Sequence, residues 1–432
     1  MKNILELALS KCQDAELYSI KMEKYPVAFA GNRLKSIKSQ IVRRLSLRVK
    51  VDGRLGFASD TTADDPQGFV ARAMETAVFG AECPFDFHKS DAMAKVDLFD
   101  PRTVTFDMED GVEIGQKIIE KMKKACPDST NDIRLIKYFL EVTYMSGSVE
   151  KTYYKTLFAW DISNMQVKED GLIYMDEYDS SCRIPDDFSH IGNTIISKMD
   201  LVSKAYEMPS KKMQVVFHPK ATGNLIRPLT AGLSGISLVS GTSPMVGKLN
   251  EVILDEKFSM VDDPLIPFAA ESESFDGEGL VRKRLPLYEN GVLKNYLLDL
   301  SSANTLGLEP NGCAGREPDA PPTPGTSNLV ITPGNTPIEE LIKGIDEGLL
   351  VEDVIGGGQA NTIAGEFSVN VSLGFRIKNG ELLGRVRNTM IAGNAYELLK
   401  NNLGAFSVET MRVGSTITPY MLINDVSVSG KE

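Results

Sequence analysis

Residues 215–235 read VVFHPKATGNLIRPLTAGLSG, a short apolar run that turns into a helix. Val215, Val216 and Phe217 suit a strand, His218 follows, and Pro219 opens a helix in which Leu225, Leu229 and Leu233 recur every four residues. A strand feeding a helix is where many active sites place ligands or nucleophiles. This helix offers isoleucine, leucine, alanine and glycine where chemistry would call for histidine, cysteine or carboxylate. What it does there is the question the rest of the chain has to answer.

On the C-terminal side of this junction the texture is loop-rich. Gly and Pro are frequent, strands are short, and CAGREPDAPPTPGTSN (313–328) has no periodicity. PIEELIKGIDEGLLVED (337–353) reads as an apolar helix-like stretch, and FSVNVSLGFRIKNGELLG (367–384) as two strands around Asn379-Gly380, a strong hairpin signal. On the N-terminal side, residues 1–80 read helix, three strands and helix. Asp52-Gly53 turns one hairpin, and a helix restarts after Pro66. Residues 81–104 form an irregular linker broken by Pro84 and Pro101. An amphipathic helix over 109–127, long strand candidates rich in Tyr and Phe, and a helix near 190–208 repeat the opening order. The fold class is therefore α+β: an N-terminal helix-plus-antiparallel-sheet region and a β-rich C-terminal domain. The expected domains are 1–104 (α+β with linker), 105–210 (α+β) and 211–432 (β-rich).

The 432 residues exceed one ordinary core, and 42% hydrophobic with 25% charged residues is the balance of a globular protein. No run of 18 apolar residues exists, and Glu6 and Lys11 interrupt any signal-peptide core around Leu5, Ala8 and Leu9, so no membrane span and a cytoplasmic location are expected. The formal charge of −12 disfavours nucleic acid as a partner. The densest basic stretch, KSIKSQIVRRLSLRVK (35–50), alternates with Ile, Leu and Val as a strand with one wet face. Cys12, Cys83, Cys126, Cys182 and Cys313 are scattered and odd in number, which suits reduced thiols.

The candidates for chemistry are few. His88, His190 and His218 are the three histidines, with no two at ligand spacing. GGGQANTIAGEF (356–367) lacks the order of a phosphate loop and reads as a turn. DGEGLVRKR (276–284) reads as a solvated hairpin, Asp262 and Asp263 before Pro264 as a turn, and Ser301, Ser302 and Ser415 lie in no nucleophile elbow. None of these names an active site.

Several ordered stretches carry a resemblance. FDGEGLVRKRLPLYENGVLKNYLLDLSSANTLG (275–307), FSVNVSLGFRIKNGELLGRVRNTMIAGNAYELLKN (367–401), VGSTITPYMLINDVSVSG (413–430) and LSGISLVSGTSPMVGKLNEVILDEKFSMVDDP (233–264) together resemble the TldD/PmbA family. The resemblance implies one of two kinds of member. The TldD kind binds zinc with a His-Glu-x-x-x-His helix and a later cysteine; the PmbA (TldE) kind lacks these and partners the first. Laid on that motif, Ile226 and Arg227 stand at the His-Glu positions and Ala231 at the second His, and no cysteine follows Cys313. The chain thus resembles the PmbA/TldE kind: no catalytic, cofactor-binding or metal residues of its own, with zinc expected in a TldD-type partner. The implied function is that of a non-catalytic subunit in a cytoplasmic metallopeptidase acting on unfolded peptides or peptide precursors, with a homodimer as another assembly. A stand-alone hydrolase using His218 and a carboxylate, and a regulatory binding protein (the family is linked to DNA gyrase modulation), remain the alternatives.

Overall fold

The structure, a computed structural model, describes residues 1–169, 171–317, 319–356 and 361–430. Its N-terminal part is one antiparallel sheet. Seven strands, β1 (Asp14–Ala30), β2 (Arg33–Ile37), β3 (Gln40–Val51), β4 (Arg54–Asp60), β5 (Thr130–Ser146), β6 (Val149–Lys168) and β7 (Gly171–Ser181), run in the order β4-β3-β1-β5-β6-β7, with β2 paired to β1. The β1–β5 ladder joins segment 1–104 to segment 105–210, from Glu16 opposite Ser146 to Phe29 opposite Ile133. At the β3–β4 turn Asp52 and Gly53 have φ of 48° and 73°, as a two-residue hairpin of this twist requires. A second such turn, Gly31-Asn32, splits the stretch read as one strand into β1 and β2.

Four helices dress this sheet: α1 (Lys2–Leu9), α2 (Pro66–Ala77), α3 (Pro101–Thr105) and α4 (Met108–Ala125). Asp65 caps α2 by accepting from the Gly68 N–H at 2.9 Å, and Pro66 occupies the first turn, where a missing N–H costs nothing. Ile4, Leu5, Phe69, Val70 and Ala73 bury against Leu17, Leu45 and Leu47. Ile118 and Met122 of α4 pack on Phe29, Ile133, Phe158 and Trp160. The helix expected near 190–208 is two short turns, α5 (Asn193–Ser197) and α6 (Met199–Ser203), before a two-residue strand β8 (Ala205–Tyr206).

The C-terminal half folds on a twelve-stranded mixed sheet in which β9 (Lys211–Phe217) is central. β9 runs parallel to Glu347–Ile355 and antiparallel to Thr416–Ser429. The apolar stretch 337–353 is therefore not one helix. It divides at Gly344 into the helix Ile338–Lys343 and the strand Glu347–Ile355, whose Leu349, Leu350 and Val351 are all buried. A continuous apolar run with both faces covered suits a central strand as well as a helix, so periodicity could not separate them. The Asn379-Gly380 hairpin forms as read, with φ of 51° and 77°. The helices α7 (Gly223–Leu233) and α8 (Gly235–Val239) follow β9 and its His218 turn directly. Among the described residues no helix is long and apolar enough to cross a membrane.

Candidate functional site

Helix α7 packs Leu225, Ile226, Leu229 and Leu233 into the core of the C-terminal sheet. Ile226 is 3% exposed, Arg227 is exposed, and Ala231 is half-buried. Residues five apart on a regular helix are rotated by about 140°, and here one lies in the core while the other lies near the surface. Zinc needs lone-pair donors at about 2.0–2.3 Å, and a sec-butyl group, a methyl group and a guanidinium supply none. The side chains at these three positions do not fit a metal. Arg227 lies on the rim of a concavity of about 170 Å³ that Asn224, Thr362, Glu366 and Phe367 also line. The stretch 356–367 borders it in part; residues 357–360 lie outside the described residues.

Pro228 sits inside α7 and has no N–H to give the helix ladder. Its own carbonyl accepts from the Tyr396 hydroxyl at 2.8 Å, and a Cβ added at Gly232 would lie 2.5 Å from that hydroxyl. A tyrosine from the helix Ala395–Asn401 thus ties α7 to its neighbour at the proline. Cys313 lies in the same core, and burial pushes its thiol up to about 12, which keeps it protonated.

His218 ends β9 and is 3% exposed. Its backbone N–H donates to Val351 O at 2.8 Å, and its Nδ1 accepts from the Lys220 N–H at 3.2 Å. Burial first, then Lys198 and Lys220, hold its pKa well below the usual histidine range. A neutral ring with a lone pair on Nδ1 carries its proton on Nε2. No carboxylate among the described residues hydrogen-bonds this imidazole; its ring partner is Tyr420, edge to face at 4.9 Å. His190 is exposed against Trp160, and His88 lies by Tyr144, whose hydroxyl donates to its carbonyl. His190 and His218 line one cavity, and His88 lies apart from it.

The acidic and basic run 276–284 is no solvated hairpin. Asp276, Glu278 and Arg282 are 1–3% exposed. Asp276 accepts the N–H groups of Glu278, Leu280 and Ala314 at 2.8–3.0 Å, folding the Asp-Gly-Glu-Gly loop on itself. Glu278 accepts from Arg48 Nη1 at 2.9 Å and from the Leu300 N–H at 2.7 Å. Arg48 also donates from Nε to Glu16 at 2.7 Å, and Glu16 accepts further from Tyr144 Oη at 3.0 Å and from Arg316. Gly279, at φ +79°, lies where a Cβ would meet the Tyr144 ring at 2.5 Å. Two glutamates and two arginines thus tie β1 and β3 to the C-terminal half. Burial alone would raise Glu16, yet Arg48 and Arg316 hold it below the carboxylate range. Burial pushes Glu278 up to about 7, with Asp276 and Glu16 adding to it against Arg48. The β3 face read as wet is covered here: Ser46 and Arg48 are both buried.

The scaffold is thus an α+β protein whose helix α7 carries no metal donors at Ile226, Arg227 and Ala231. Residues 210–430 match the family model described as the PmbA/TldA metallopeptidase C-terminal domain, and residues 15–77 match PmbA/TldA metallopeptidase domain 1. The chain belongs to the PmbA/TldD metallopeptidase family. It is 25% identical over 98% of both chains to an uncharacterized protein of Methanocaldococcus jannaschii. It is 34% identical to a metalloprotease of Methanothermobacter thermautotrophicus, over 53% of this chain and 50% of that one. A PmbA homolog of Haemophilus influenzae is 28% identical over 56% of this chain and 51% of its own. The chain spans about half the length of these two relatives. The crystal structure of TldE from Thermococcus kodakarensis has the same fold, with a TM-score of 0.92, 21% identity and complete coverage of both chains.

Proposed function

We propose that this chain is the PmbA/TldE-type, non-catalytic subunit of a two-subunit metallopeptidase acting on unfolded peptides or peptide precursors. The observation that carries this reading is helix α7. At the positions where the zinc-binding kind has His, Glu and His, this chain has a core isoleucine, an exposed arginine and an alanine. The helix is retained for packing: Ile226 buried in this way contributes about 1.5–3 kcal/mol of burial, which an imidazole would forfeit. The proton-bearing Nε2 of His218 and the absence of a carboxylate bonded to it among the described residues weigh against hydrolysis by a histidine-carboxylate pair. The partner of the zinc-binding kind supplies the metal and the water it activates. This subunit contributes walls that admit extended chain and exclude folded protein. The test is affinity capture of the tagged chain from its native organism. Co-purification of a family member with an intact His-Glu-x-x-x-His helix supports the assignment; capture without one, under conditions that keep known complexes intact, rejects it.

A further inference from the structure

A second cavity, of about 250 Å³, lies where β6 and β7 meet the C-terminal half; His218 and Lys220 of the turn before α7 line it, but no residue of α7 itself does. His218, Glu352 and Trp160, 3%, 4% and 6% exposed, are its most deeply buried lining residues, and Tyr178, Asp179 and His190 are exposed. Its cations and carboxylates are mostly spent on each other: Lys198 pairs with Glu352 at 2.5 Å and Lys220 with Asp176 at 3.1 Å. Two donors are not. His218 Nε2 carries the imidazole proton and has no acceptor among the described residues. Arg412, which lines the same cavity, has no carboxylate partner among them. Two acceptors are also incompletely used. Glu177 receives the Gly192 N–H at 3.0 Å and a hydrogen bond from the Thr194 side chain, and Asp179 receives only the adjacent Ser180 N–H at 2.8 Å. Both donors open on the cavity, so an acceptor placed there can take over the hydrogen bonds that solvent would otherwise make.

The chemistry of the lining selects the ligand. A simple anion would find the Nε2 proton and Arg412 but would also face four carboxylates, Asp176, Glu177, Asp179 and Glu352. A simple cation would face Lys198, Lys220 and Arg412. Only a molecule with both charges satisfies both unfilled sets. The volume lies just below the range of drug-sized pockets, about 300–1,000 Å³, which suits a molecule with a short backbone and one or two side chains. Trp160, Met411 and Val413 give that side chain an apolar wall.

We propose that this cavity is a binding site for a small zwitterion, a free α-amino acid or a dipeptide. Its carboxylate meets His218 Nε2–H and Arg412, its ammonium meets Glu177 and Asp179, and its side chain lies on Trp160. The site is separate from helix α7 and does not depend on the subunit assignment. If that assignment holds as well, such a ligand is the chemical class that peptide hydrolysis releases, and the cavity reads product at the junction of the two halves.

Only three histidines in the chain make the test clean. The protein is labelled with ¹⁵N-histidine, and imidazole resonances are followed while L-leucine, L-phenylalanine, L-arginine, L-glutamate and their alanyl dipeptides are added singly. His218 is assigned as the resonance absent from His218→Phe. The expected result is a saturable shift of His218 by at least one compound, with affinity falling at least about tenfold for its N-acetyl and its amide analogues and for Arg412→Ala. The blocked analogues act on the unaltered protein, so no folding defect can imitate their effect. Binding of N-acetyl and amide forms within about twofold of the free compound overturns the zwitterion, and no shift at about 10 mM of any compound overturns the site.

Discussion

Replacing Glu16 by alanine should uncouple the two halves of the molecule. The Glu16 carboxylate accepts from Arg48, Arg316 and Tyr144, and the side chains of Glu16, Arg48 and Arg316 are 0%, 5% and 0% exposed. Its removal leaves two buried guanidinium groups with only Glu278 between them. Breaking a buried pair from one side costs about 3–5 kcal/mol, mostly for the charge left unpaired. Glu16→Gln keeps an acceptor and loses the charge, so it should fall between the alanine variant and the native chain. Adding Arg316→Met to Glu16→Ala removes one stranded cation and should restore at least about 1 kcal/mol. Urea unfolding reports this well because Trp160, the only tryptophan, is 6% exposed on β6 in one cluster with Val216 and Phe375, so its fluorescence follows the junction of the halves while far-UV circular dichroism follows both halves throughout. In Glu16→Ala the junction should loosen first, so the fluorescence transition should move to lower urea and part from the dichroism transition. A loss below about 1 kcal/mol, with the two signals still coincident, would refute the assignment of this network as the tie between the halves.

Glu278 sets a pH dependence of opposite sign to Glu16. Its carboxyl titrates near 7 in the folded chain against 4.5 ordinarily, so the folded state holds the extra proton, and stability falls as pH rises from about 4.5 through 7 by up to about 3 kcal/mol. Glu278→Gln should flatten urea midpoints over that window relative to the native protein. Gly279→Ala combines a left-handed backbone with a methyl 2.5 Å from the Tyr144 ring, and should lower stability by about 1–3 kcal/mol in thermal melts. The triple change Ile226→His, Arg227→Glu and Ala231→His should give at most micromolar-class zinc affinity by calorimetry and negligible peptide turnover, because the third ligand is still missing and the imidazole at 226 points into the core.

Much of the fold was legible in the sequence where local chemistry speaks alone. Asp52-Gly53 and Asn379-Gly380 announce hairpins because their backbones need φ > 0, and both are found. Pro66 and Leu225-Leu229-Leu233 likewise announce helix. What failed was whatever depends on a second surface. Ser46 and Arg48 alternate with apolar residues as a wet strand face would, and Glu278 sits in a charged run as a solvated hairpin would; each is buried because the other's segment, about 230 residues away, covers it. The strand Glu347–Ile355 was hidden in a helix-like pattern because burial on both faces erases period two. At α7 the composition told that reactive side chains were missing, but only the coordinates separate Ile226 in the core from Arg227 on a rim. The junction cavity had two traces in the sequence, His190 and His218, which no spacing linked; Trp160, Lys198 and Arg412 reach it from distant segments that no spacing rule connects.

The most direct test of the subunit assignment is peptide hydrolysis by reconstituted protein. The chain alone, with zinc supplied, and the chain mixed with a family member bearing His-Glu-x-x-x-His are each given an unfolded peptide. Turnover is expected only in the mixture. It should vanish when the partner's glutamate is replaced by glutamine and persist when Arg227 of this chain is replaced by alanine. Zinc-dependent cleavage by this chain alone, at a rate comparable to the mixture, would contradict a non-catalytic role.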